Sequence, residues 1–161
     1  MPRLLTFTPC ERVIISADEG GATLLNLVTG FKVGPGGQAT TATEDNPASL
    51  PFRWAVFTMW LRLPEDDGKT YEQLVELRGP SGTVLVSQTM EFVVSKNTHR
   101  NTSNVFGFPI VGEGTYELGL SLRVASEGDQ FQRIADFPIE ISMVDGAIEP
   151  SPARPQAETT R

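Results

Sequence analysis

The chain has 161 residues, 39% of them hydrophobic, with nine Phe and two Trp: enough to bury one core and too few for two comfortable domains. Twenty acidic against thirteen basic residues give a net charge of −7, with no run of Lys and Arg able to release counterions from a phosphate backbone, which excludes nucleic acid and anionic membrane surfaces as expected partners. A single cysteine, Cys10, excludes an intramolecular disulfide, and with His99 as the one histidine the chain cannot supply the four ligands of a structural zinc.

In chain order, Leu4, Leu5 and Phe7 form a short apolar group broken by Pro9, too short for a secretory h-region. No later stretch approaches the length of a membrane span, so the expected compartment is the cytoplasm. Cys10 reads as a small buried hydrophobe at a strand start, the alternative being a thiol activated by Arg12. Glu11–Ser16 and Ala22–Val33 are rich in Val, Ile and Leu and read as two strands joined through Asp18-Glu19-Gly20-Gly21. Gly34–Ser49 lacks any large apolar residue and reads as a long mobile loop. From Phe52 to Leu63 apolar residues occupy both parities, Trp54, Val56 and Trp60 on one and Ala55, Phe57, Met59, Leu61 and Leu63 on the other. That pattern predicts a central strand covered on both sides, or a face carrying a binding surface. Glu65-Asp66-Asp67-Gly68 lacks the spaced acids and distal Glu of a calcium loop and reads as a charged turn.

Tyr71, Val75 and Leu77 alternate with Glu72, Glu76 and Arg78, and Val84, Val86, Met90, Phe92 and Val94 with Leu85, Ser87, Thr89, Glu91 and Val93. The link Gly79-Pro80-Ser81-Gly82 makes them a hairpin. Lys96–Asn104 is polar throughout and reads as a connector. Tyr116, Leu118, Leu120, Leu122 and Val124 alternate strictly with Glu117, Gly119, Ser121 and Arg123, the pattern of a half-buried strand. Phe131, Ala135, Phe137, Ile139, Ile141 and Met143 continue the rule after a turn at Glu127-Gly128-Asp129, with Pro138 predicting an edge or a bulge. Residues 1–144 therefore form one domain, and Asp145–Arg161, without periodicity, is expected to be a disordered tail. The expected fold is all-β: an antiparallel immunoglobulin-like β-sandwich of about seven or eight strands, with turn signals roughly every ten residues.

Little in the chain carries chemistry. Neither a nucleophile elbow nor a phosphate-binding glycine pattern occurs, and Gly34-Pro35-Gly36-Gly37 has no Lys and opens no helix. No catalytic, metal or cofactor residue is assigned; nucleophilic chemistry would run through His99, or a carboxylate pair could meet across strands. Trp60, His99, Arg100 and Asn101 are the candidate surface for a partner or ligand. Tyr116, in Gly112-Glu113-Gly114-Thr115-Tyr116, stands where a tyrosine corner would pin a crossover by bonding upstream backbone.

The segments Cys10–Ile15, Gly21, Leu24–Leu27, Gly68–Tyr71, Gly79–Gly82, His99–Asn101, Phe106–Pro109 and Gly114–Leu118 together resemble a family of short bacterial proteins known only as a domain of unknown function. The resemblance spans residues 4–144 and implies an immunoglobulin-like fold with no activity to carry over. The expected function is a non-enzymatic interaction module without cofactors, binding another protein through loops or a sheet edge. The alternatives are a small-ligand or carbohydrate module using an aromatic sheet face over Trp54 and Trp60, and a hydrolase using His99 or a carboxylate pair.

Overall fold

Side chains that alternate between greasy and polar commit this chain to extended backbone, and a computed structural model contains, among the residues it describes, nine strands in two sheets. It describes residues 1–16, 21–34, 42–125 and 130–144. Residues 35–41 of the loop expected over Gly34–Ser49, the expected turns around residues 18–20 and 127–129, and the tail 145–161 lie outside the described residues; the end of that loop, Ala48–Ser49, is strand. The strands are β1 (Arg3–Ile15), β2 (Ala22–Leu27), β3 (Gly30–Val33), β4 (Ala48–Leu61), β5 (Thr70–Arg78), β6 (Val84–Val93), β7 (Thr98–Ile110), β8 (Gly114–Val124) and β9 (Gln132–Met143). A three-residue 3-10 turn, Pro64–Asp66, links β4 to β5. One sheet has the order β2-β1-β4-β7 and the other β3-β9-β8-β5-β6.

The sheets share one core. Trp54, Val56 and Trp60 of β4 meet Tyr71, Val75 and Leu77 of β5 and Tyr116, Leu118, Leu120 and Leu122 of β8 in a single buried cluster. The strict alternation in β8 places all five of its expected inward residues in that core, as period two requires. The Gly79–Gly82 link is a tight turn closed by the Gly82 amide on the Gly79 carbonyl at 2.9 Å, with Gly82 at φ 90, a backbone angle that favours glycine.

Four expectations are corrected. First, Ala22–Val33 is two strands, which brings the total above the seven or eight expected. The Val28 amide bonds the Pro9 carbonyl at 3.0 Å and its side chain is buried, so the chain leaves the first sheet here and enters the second. Second, the pairing is not wholly antiparallel: β3 runs parallel to β9, from Gly30↔Glu140 to Val33↔Met143. The approach is close, since a Cβ on Gly30 would stand 2.5 Å from the Glu140 carbonyl oxygen. Third, the polar connector expected at Lys96–Asn104 is mostly strand, because β7 begins at Thr98 and pairs with β4.

Fourth, Phe131 does not share the inward face of β9. The register shifts between Leu120↔Ala135 and Ser121↔Arg133, and this bulge reverses parity upstream, bringing Ile134 against the core. Phe131 lies instead on the outer face under the guanidinium of Arg123, 4.4 Å from the ring centroid. The bulge is therefore not at Pro138, which pairs with Glu117 in the part of β9 that β3 does not cover.

Candidate functional site

Of the candidate surface residues, His99, Arg100 and Asn101 are neighbours on β7, and strand geometry sends them to opposite faces. His99 and Asn101 pair with Trp60 and Thr58 of β4 and face the second sheet; Arg100 pairs with Met59 and faces away from it. Trp60 is fully buried and is core, not surface. Its indole N–H donates to Gln73 Oε1 at 3.0 Å, while Trp54 donates to the Gly107 carbonyl at 3.1 Å. An aromatic platform over Trp54 and Trp60 has no exposed ring to offer. Acrylamide is expected to leave the fluorescence of both tryptophans almost unquenched in the native state, with quenching restored in urea; native quenching near that of free indole would contradict this burial.

The inward polar residues form one seam between the sheets. Gln73, on the core parity of β5 and 1% exposed, accepts through Oε1 from the Thr58 hydroxyl (2.9 Å), the Trp60 indole (3.0 Å) and Asn101 Nδ2 (3.3 Å). Indole can only donate, so Trp60 fixes which end of the Gln73 amide faces it. Asn101 must then present its amide nitrogen to the same oxygen, leaving Oδ1 to accept from His99 Nε2 at 2.8 Å. One donor-only side chain thereby sets the orientation of two amides and the protonated nitrogen of the imidazole. The His99 ring also stacks on Phe92 of β6, 4.8 Å between centroids and 17° from parallel. Among the described residues the partners of His99 are an amide and an aromatic ring.

On the other face, β1 stops pairing with β4 at Cys10↔Ala55 but continues with β2 as far as Ile15↔Ala22. This two-strand arm lies over β4 and β7: Glu11, Arg12 and Val13 line one groove with Arg53, Asn104 and Phe106, and Ile15 lines another with residues of β7. Ala55 and Phe57, on the parity of β4 that faces away from the shared core, are buried too, so β4 is a central strand covered on both sides. Cys10 beside them is fully buried; burial pushes its thiol up from the ordinary value, against a smaller opposing effect of a backbone hydrogen bond at Arg12. A thiol so placed is a small hydrophobe rather than a nucleophile.

The arm also carries exposed apolar residues: Ile14, Ile15, Leu25 and Leu27, the last 56% exposed, with Phe106 nearby under Arg53. Four strands form the sheet edges, β2, β7, β3 and β6. Natural edges are blunted by charge, proline or brevity. Thus β3 has four residues including Lys32, β6 carries Glu91, and β7 carries Arg100 and Pro109. β2, Ala-Thr-Leu-Leu-Asn-Leu, carries no charge and no proline, although Asn26 within it stands at φ 50 and donates to Glu11 at 2.6 Å. A signal for it existed in the sequence as a charge-free apolar run, although nothing there indicated that it would be an edge.

Tyr116 is fully buried, donating its hydroxyl proton to the Gly112 carbonyl (2.9 Å) and accepting from the Val111 amide (2.8 Å). These bonds hold the link by which the chain crosses from β7 in one sheet to β8 in the other. Among the described residues no three His, Cys, Asp or Glu side chains are grouped as metal ligands, and no helix is long and apolar enough to cross a membrane. No protein-family model matches the chain, and no curated protein matches it in sequence.

Proposed function

We propose that this is a non-enzymatic, immunoglobulin-like interaction module of the cytoplasm, akin to the short bacterial family that its motifs resemble, and that it binds another protein by accepting an extended segment along β2. The observation that carries this is the contrast among the four outermost strands: three carry charge or proline and β2 carries neither. An added strand takes its affinity from the main-chain ladder and its specificity from alternate side chains. Leu25 and Leu27, on one parity of β2, would supply that apolar contact. The partner segment is extended, alternates apolar residues and carries positive flanking charge, because a protein of net charge −7 steers cations toward itself. The crossover held by Tyr116 and the division into two sheets favour the immunoglobulin-like reading.

Peptide display against the full-length protein tests this. Selected peptides should alternate apolar residues, shift the amide resonances of Ala22–Leu27, and lose binding at least about tenfold on Leu25→Lys, equivalent to about 1.4 kcal/mol. Val93→Lys, on the β6 edge, should leave binding unchanged. Peptides whose shifts fall elsewhere would overturn the reading, as would a β2-paired homodimer that Leu25→Lys converts to monomer in sedimentation.

A further inference from the structure

The groove between Ile15 and the outer face of β7 has a volume of about 710 Å³, within the range that holds small organic ligands. Among the described residues the charged side chains that line it are Lys96 and Arg100, in a protein of net charge −7. Ser95, Thr98 and Thr102 add three hydroxyls, none of which hydrogen-bonds within the described residues, and Ile15 supplies an apolar wall. Arg62, Arg78, Arg123 and Arg133 each meet a carboxylate; Arg100, like Arg3, Arg12 and Arg53, meets none among the described residues.

Arg100 is also where hydrogen bonding is incomplete. Its Nε is the one buried side-chain nitrogen or oxygen among the described residues without a partner. An orphaned buried donor is costly, more so on a charged group, and such exceptions commonly mark a missing ligand or ion. A guanidinium is built to grip an oxyanion through two parallel N–H bonds, one of them from Nε.

We infer that this groove is a binding site for the phosphoryl group of a small molecule, gripped by Arg100 and Lys96 and completed by the hydroxyls of Ser95, Thr98 and Thr102. Two cations match the near-dianionic charge of a phosphoryl group. The donors also outnumber what the two oxygens of one carboxylate can accept, whereas a phosphoryl group offers three. Ile15 then borders the organic part of the ligand. The inference is independent of strand addition at β2, which uses the opposite edge of the sheet.

Titration of the full-length protein with pyrophosphate, followed by amide resonances and calorimetry, tests it. Saturable shifts are expected across Ser95–Thr102, weakening as salt is added. Arg100→Gln and Lys96→Gln should each lower affinity about tenfold or more, while Arg53→Gln, at the neighbouring groove, should not. Lys96 is exposed, so Lys96→Gln remains informative even if Arg100→Gln disturbs folding. Absence of saturable shifts would overturn the site, and succinate binding as tightly as pyrophosphate would overturn its assignment to phosphoryl groups.

Discussion

Replacing Gln73 with Leu is expected to destabilise the protein by about 3 to 5 kcal/mol, among the largest effects of any single substitution in the chain. The reason lies in the asymmetry of hydrogen bonding. One carbonyl oxygen serves the Thr58 hydroxyl, the Trp60 indole and Asn101 Nδ2. Removing the acceptor strands all three in a site closed to water, at roughly 1 to 3 kcal/mol for a donor that cannot turn elsewhere. Thr58 can rotate, but the indole cannot. Removing one donor is a milder change: Thr58→Val keeps the shape and leaves Gln73 with two partners, so it should cost only about 1 kcal/mol. Urea unfolding should move the midpoint for both variants at unchanged slope. If Gln73→Leu cost no more than Thr58→Val, the seam would not be holding the sheets together.

The same seam explains what could be read from the sequence and what could not. Hydrophobic alternation located β5, β8 and most of β9, because all their inward residues but a few such as Gln73 are apolar. It failed at β7, where the inward residues are His99, Asn101 and Ser103 and the outward ones are polar as well. A strand with polar residues on both faces looks like a loop to any test that counts grease. Its partners were nonetheless visible in part. Gln73 stands between Tyr71 and Val75, and Thr58 between Val56 and Trp60, so a polar residue at an inward position was the available clue to a buried network.

The parity reversal that moves Phe131 outward was not legible, since a bulge follows from the register of two strands and not from one strand's composition. The parallel β3–β9 pair and the arm formed by β1 and β2 were hidden for the same reason: both depend on which segments meet. Hence the candidate site was half legible. His99, Arg100 and Asn101 stand together in the sequence and on β7, while Trp60, which the sequence leaves between core and ligand face, is core. The groove beside Arg100 needed Ile15, some eighty positions earlier in the chain, to exist at all.

Asp66 carries the second large effect, and its sign can be tested against pH. The segment Glu65-Asp66-Asp67-Gly68 reads as a charged turn, and within it Asp66 is fully buried. Its carboxylate accepts from the Tyr71 hydroxyl at 2.6 Å and the Leu63 amide at 2.8 Å, with the Met1 ammonium 3.3 Å away. Burial alone would push its pKa up, but these hydrogen bonds and the ammonium outweigh it and hold the group below the usual carboxylate value. A carboxylate whose pKa is depressed by folding stabilises the fold at every pH above the unfolded value, near 3.9, and ceases to do so as pH falls through the folded one. Asp66→Asn keeps the shape but turns an amide N–H toward one of the two donors, so it should cost about 2 to 3 kcal/mol at neutral pH. That deficit should stay flat from pH 7 to about 4, shrink as pH falls further, and vanish once the wild-type carboxyl is itself protonated. Urea midpoints for both proteins across this range decide the matter. A deficit that grew toward low pH would mean that the native site favours the protonated acid, and that the geometry around Tyr71 and Leu63 does not stabilise a charge.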